Sequence, residues 1–201
     1  MLSFLCLPTL VLVFCLVPLT STLVGCGTAP FSGSITLTPD QKFREPSGLL
    51  PTVQVDLIGV TALELQRWTN YNVTSYWSSS DELRNAALLQ TYLMTTADPG
   101  PFVLSRWADI VSVWKKKGVT SVVLIADLPG AWQPRPPKAE GAPPPGVTWF
   151  DPEKDPRRLV IPWVQSAYGA FKGNIDVSLK PESLTLETPV DMSNAVPAAG
   201  K

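Results

Sequence analysis

The segment TVQVDLIGVTALELQRW, Thr52 to Trp68, carries two different periods in one continuous run. Val53, Val55 and Leu57 alternate with Gln54 and Asp56, the period of a strand with one face in a core. At Thr61 the pattern changes. Thr61-Ala62-Leu63-Glu64 has the spacing of a capping box, in which the Thr61 hydroxyl accepts from the Glu64 N–H and the Glu64 carboxylate reaches back to the Thr61 N–H. The helix it opens carries Leu65 and Trp68 and fades near Asn70-Tyr71-Asn72. A strand that runs straight into a helix calls for a core shared by sheet and helices.

The same reading extends in both directions. Upstream, Ser34-Ile35-Thr36-Leu37-Thr38 alternates as a strand and Pro39 ends it. Downstream, Ser78-Ser79-Ser80-Asp81-Glu82 predicts the start of a second helix reaching about Leu93, with Leu83, Ala86, Ala87 and either Leu89 or Gln90 turned inward. After the break at Asp98-Pro99-Gly100-Pro101, a third helix is expected from a Ser105 cap to Lys117. Trp107, Ile110, Val111 and Trp114 are spaced for one buried face, and Gly118 supplies the left-handed stop. Val122 to Ala126 reads as a strand buried on both sides. Residues 158–163, 174–179 and 183–187 are three more strands, the last two joined by a turn at Lys180-Pro181-Glu182. Six strands around about three helices make an α+β domain, mainly an antiparallel β-sandwich.

Two stretches are of different material. From Pro129 to Pro156, nine of 28 residues are proline. That density predicts an extended excursion with too few N–H donors for helix or sheet. Trp132 and Trp149 lie within it, where burial is hard to arrange, so they are the candidates for contact with a partner or for stacking on a glycan. The first 25 residues hold 17 apolar ones and no Asp, Glu, Lys or Arg; the first charge in the chain is Asp40. The organisation expected is therefore a leader at 1–25, a tether at 26–33, one sandwich domain at 34–188 with a Pro-rich excursion at 129–157, and a disordered tail at 189–201.

The end of the leader, Leu23-Val24-Gly25-Cys26, resembles the lipobox of bacterial lipoproteins: an aliphatic residue, two small ones, then cysteine. Small residues let a peptidase reach the bond before Cys26, whose thiol takes a diacylglyceryl group, with palmitate completing the anchor. An uncleaved membrane-spanning anchor and an ordinary secretory signal are the alternatives. No Lys or Arg precedes the apolar core, which counts against a signal of either kind. Two or more acyl chains at Cys26 would hold the protein firmly without a basic patch. Gly27, where an Asp would signal retention in the inner membrane, implies by resemblance to enterobacterial lipoproteins the periplasmic face of the outer membrane.

Chemistry is scarce. The chain contains no histidine and three cysteines, two of them inside the leader, so Ser-His and Cys-His nucleophiles and a disulfide in the mature chain are excluded. Sixteen basic residues against 17 acidic ones argue against nucleic acid. Asp151, Glu153 and Asp155 alternate like the opening of a calcium loop, but Pro156 stands where such a loop needs glycine, and a solvated loop with local Asp-Arg pairing is the reading. Asp56, Asp81, Glu82, Asp109 and Asp127 are the carboxylates a hydrolase would have to bring together, and nothing in their spacing suggests that they meet. No metal, cofactor or catalytic residue is expected.

Taken in order, the lipobox, LLPTVQVDLIGV followed by ALELQRW, then VVLIADLPG, RLVIPW and the closing NIDVSLKPESLTLE resemble the type VI secretion lipoprotein (TssJ) family. The resemblance covers residues 23 to about 187. It implies a transthyretin-like sandwich, no enzymatic activity, and a tethering role toward a large inner-membrane secretion component. The helix from Ser105 to Lys117 and the Pro-rich excursion are departures from the usual compact sandwich, so no contact residue carries over. A glycan-binding envelope lipoprotein is the alternative function.

Overall fold

The structure, a computed structural model, describes residues 33–43, 49–136, 141–151, 154–163 and 173–189. The expected leader, the tether before Gly33 with Cys26 in it, and the tail after Pro189 lie outside the described residues.

Two four-stranded sheets face each other. The first has the order β10-β9-β1-β4, built from β1 (Ile35–Pro39), β4 (Phe102–Leu104), β9 (Ile175–Lys180) and β10 (Ser183–Leu186). The second has the order β3-β2-β5-β8, from β2 (Val53–Val60), β3 (Leu89–Met94), β5 (Ser121–Ala126) and β8 (Arg158–Pro162). Every neighbouring pair is antiparallel except β1 and β9, which run parallel with Leu37 opposite Val177. The α+β sandwich expected from the sequence is the fold observed. The Pro181-Glu182 turn joins β9 to β10 as a hairpin, with Lys180 opposite Ser183.

The alternation explains which faces meet. Ile35 and Leu37 of β1 and Ile175, Val177 and Leu179 of β9 point inward against Val53, Val55 and Leu57 of β2 and Val122, Leu124 and Ala126 of β5. Thr36 and Asp176 turn outward on the first sheet. The second sheet has no wet face at its centre. Ile58 and Val60 of β2 and Val123 and Ile125 of β5 point away from the sandwich into a second cluster with Trp68, Val73 and Tyr76. Those residues come from helices inserted between β2 and β3: α1 (Ala62–Thr69), α2 (Val73–Tyr76) and α3 (Glu82–Ala86). This is why β5 reads as a continuous apolar run although its neighbours are antiparallel.

Helix α1 starts where the sequence indicates. The Glu64 carboxylate accepts the Thr61 N–H at 2.9 Å, and the Thr61 hydroxyl donates to the same carboxylate, also at 2.9 Å. Helix α4 (Asp109–Lys117) sends Val111 and Trp114 into the core between the sheets and ends on Gly118 at φ 76°. Gly118 donates its N–H to the Trp114 and Lys115 carbonyls. Gly59 admits the Trp114 ring: a Cβ there would lie 2.5 Å from Trp114 Cδ1 and Nε1. Trp114 Nε1 donates to the Leu88 carbonyl at 3.0 Å, and its ring meets Trp163 edge-on at 5.8 Å.

Four expectations are corrected. The helix expected to reach Leu93 stops at Ala86, and Leu89–Met94 instead pairs with β2 from Ile58↔Leu89 to Val53↔Met94. The exposed edge of β2 offers a ladder, and residues with Leu, Thr and Tyr satisfy a strand period as well as a helical one. Ala86, expected inward, is exposed, while Leu83, Ala87 and Leu89 do pack on the outer cluster. Trp107, expected on the buried face of the third helix, is 76 % exposed because the helix begins only at Asp109. The Pro-rich excursion, expected to form neither helix nor sheet, holds a two-stranded one: β6 (Ala131–Pro134) and β7 (Val147–Phe150) pair in parallel, with Trp132 opposite Thr148.

Candidate functional site

Two polar clusters lie buried on the helix-covered side of the second sheet. At the first, Asp56 projects outward from the middle of β2 and is fully buried. Its Oδ1 accepts from Thr91 Oγ1 at 2.7 Å and from Gln54 Nε2 at 3.3 Å. Its Oδ2 accepts from the Tyr76 hydroxyl and from Arg84 Nε, each at 2.9 Å. Four donors occupy the roughly four lone-pair sites of a carboxylate. Asp56 is thus tied up as an acceptor and has no open site for a substrate proton.

Arg84 carries this cluster to the surface. Its guanidinium lies 4.8 Å over the Trp77 ring and 5.4 Å over Tyr76. Burial alone would lower its pKa, but the Asp56 carboxylate more than offsets that and holds it above the usual arginine value. Burial, reinforced by the Asp56 charge, pushes the Tyr76 phenol far above its ordinary range. The Arg84 N–H is capped by Asp81 Oδ1 at 2.7 Å, and Asp81 Oδ2 accepts from the Tyr71 hydroxyl. Of the five carboxylates considered from the sequence, Asp56 and Asp81 are brought together through Arg84. Asp127 feels the charges of Arg84 and Arg157, though burial still raises its pKa. Asp109 stands apart at the start of α4.

The second cluster pins the base of the Pro-rich segment. Asp155 and Arg157, 4 % and 5 % exposed, form a bidentate pair: Nε donates to Oδ1 at 3.0 Å and Nη2 to Oδ2 at 2.7 Å. Arg157 Nη2 also donates to Thr74 Oγ1 at 3.1 Å. Its guanidinium lies 5.2 Å from the centre of the Trp132 ring and 4.9 Å from that of Phe150. The local Asp-Arg pairing expected in place of a calcium loop is present at Asp155, but the pair is buried where a solvated loop was expected. Among the described residues, no three His, Cys, Asp or Glu side chains form a metal-binding group, and no helix is long and apolar enough to cross a membrane.

The residues singled out from the sequence fare differently. Trp132 is 9 % exposed, and its Nε1 donates to the Leu128 carbonyl at 3.1 Å. This corrects the expectation that burial is hard to arrange there: Trp132 and Phe150, brought into one small sheet by the pairing of β6 with β7, both join the core cluster. The backbone of Trp149 lies opposite Gln133 in β7, and its side chain lies outside what the structure describes. Cys26 lies outside the described residues as well.

The feature missed from the sequence is Trp107. Together with Arg106, Ser105, Gly33, Ser34 and Asn174 it borders a shallow hollow of about 180 Å³ at the start of β1. A helix counted from its first regular residue, Asp109, would have left Trp107 outside the buried face.

No protein-family model matches the chain, and no curated protein matches it. Solved structures with a similar fold include the C-terminal domain of the type VI secretion protein TssM from EAEC, 9% identical, covering 77% of this chain and 98% of that one at a TM-score of 0.46. Another is Serratia marcescens Lip, a membrane-bound component of the type VI secretion system, 10% identical over 78% of this chain and 97% of its own, TM-score 0.43. A third is the type VI secretion lipoprotein TssJ1 from Pseudomonas aeruginosa, 8% identical, covering 80% of this chain and 97% of that one, TM-score 0.43.

Proposed function

We propose that the chain is a lipoprotein anchored through Cys26, whose sandwich ties another envelope protein to the membrane without catalysing a reaction. On this reading it is a component of a type VI secretion membrane complex. It sits on the periplasmic face of the outer membrane and binds a large inner-membrane component. The observation that carries the reading is Leu23-Val24-Gly25-Cys26 at the end of a charge-free apolar run, closely followed by the first strand of the domain. The order of strands and helices that resembles the TssJ family supports it. The saturated acceptor sites of Asp56, in a chain without histidine, fit a structural role.

The test is fractionation of wild type and Cys26→Ser, followed by capture from detergent extract. Wild type is expected with the membranes and Cys26→Ser in the soluble fraction, and capture should recover a large inner-membrane protein. A Cys26→Ser chain that stays with the membranes contradicts the anchor. Recovery of glycan fragments in place of a protein contradicts the tethering role.

A further inference from the structure

Trp107 sits at the place where the chain leaves the domain toward Cys26. The first sheet fixes that exit: the Ile175 N–H donates to the Ser34 carbonyl at 2.8 Å, and the Ser34 hydroxyl donates to Asn174 Oδ1 at 2.9 Å. Ile35 lies opposite Leu104, so Ser34 and Ser105 are adjacent across the β1–β4 ladder. The Ser105 hydroxyl accepts the Trp107 N–H at 3.2 Å and orders the turn that carries the indole. The ring is 76 % exposed, and the Arg106 guanidinium lies 4.5 Å from its centre.

Six residues lie between Cys26 and Gly33, which makes seven steps from one Cα to the next. Fully extended at ~3.3–3.6 Å per residue they span about 25 Å. A domain of this size measures roughly 40 Å across. An acylated Cys26 therefore keeps the face around Gly33 near the bilayer and the opposite face away from it. Tryptophan favours the headgroup level, where its apolar body and its N–H are both satisfied, and arginine beside it reaches lipid phosphate. We propose that Trp107, with Arg106, docks this face of the domain on the lipid headgroups and so sets its orientation on the membrane. The inference rests on the anchor at Cys26.

The full acylated chain is reconstituted into vesicles of phosphatidylethanolamine and phosphatidylglycerol carrying brominated acyl chains, which quench tryptophan at the interface. Wild-type emission is quenched, and Trp107→Phe loses most of that quenching while floating with the vesicles as before. Equal quenching in the two proteins, or none in either, overturns the docking face and leaves the anchor standing. A Cys26→Ser chain that floats as well as wild type overturns the anchor, and the docking inference falls with it. The Phe substitution, at a mostly exposed site, keeps the fold for the comparison.

Discussion

Arg84 Nε donates to Asp56 Oδ2 at 2.9 Å, with Asp56 fully buried and the Arg84 side chain 23 % exposed. The asymmetry fixes which partner is harder to lose. Arg84→Ala strands a carboxylate that cannot reach water and should cost about 3–5 kcal/mol. Asp56→Ala frees a guanidinium that can turn outward and should cost less, about 1–3 kcal/mol. Urea unfolding of both variants checks the order. A milder loss for Arg84→Ala would show that the network does not depend on charge pairing.

Tyr76 links that network to alkaline pH. Its phenol is raised by burial and by the Asp56 charge, so the folded protein keeps the proton while the unfolded chain releases it near pH ~10. Above that value the unfolded state binds fewer protons, and stability falls by up to ~1.4 kcal/mol per pH unit. Below it the group contributes no pH dependence. Unfolding free energies measured across this range should show the decline in wild type and a shallower one in Tyr76→Phe.

Gly59 and Trp114 predict an overpacking effect. A methyl at 59 would sit 2.5 Å from the indole, so Gly59→Ala must displace the ring and its bond to Leu88. A loss of about 1–3 kcal/mol is expected. Pairing it with Trp114→Phe, which withdraws the nearest ring atoms, should give a double variant more stable than the sum of the two losses implies. Thermal unfolding followed by near-ultraviolet circular dichroism reads both quantities.

Trp132 distinguishes a core residue from a contact residue. Buried in the core cluster beside Arg157, it should cost about 3–5 kcal/mol when changed to Ala. The β6–β7 ribbon should become cleavable in limited proteolysis. An unchanged melting temperature combined with lost partner binding would return Trp132 to the surface role first expected of it.

What the sequence made legible was local. Thr61 and Glu64 are three residues apart, Gly118 stops its own helix, and Pro181-Glu182 joins adjacent strands. Val53, Val55 and Leu57 show their face by alternation alone. Leu89–Met94 is ambiguous in sequence because its pattern suits either period and the decision belongs to β2, over thirty residues upstream. The β6–β7 ribbon escaped notice because proline density argues about donors within a strand, whereas Pro134 stands at the end of one. Trp107 falls outside its helix because the cap is Ala108, three residues beyond Ser105. Three of the four partners of Asp56 lie 20, 28 and 35 residues away at Tyr76, Arg84 and Thr91, so no motif announces them.

Cys26 is the residue on which the proposed membrane anchor depends. Mass spectrometry of the N-terminal peptide from membrane-extracted protein tests it most directly. The predicted result is a chain that begins at Cys26 and carries a diacylglyceryl group with an added palmitate. A chain that begins at Met1, or a Cys26 that bears no lipid, would contradict it.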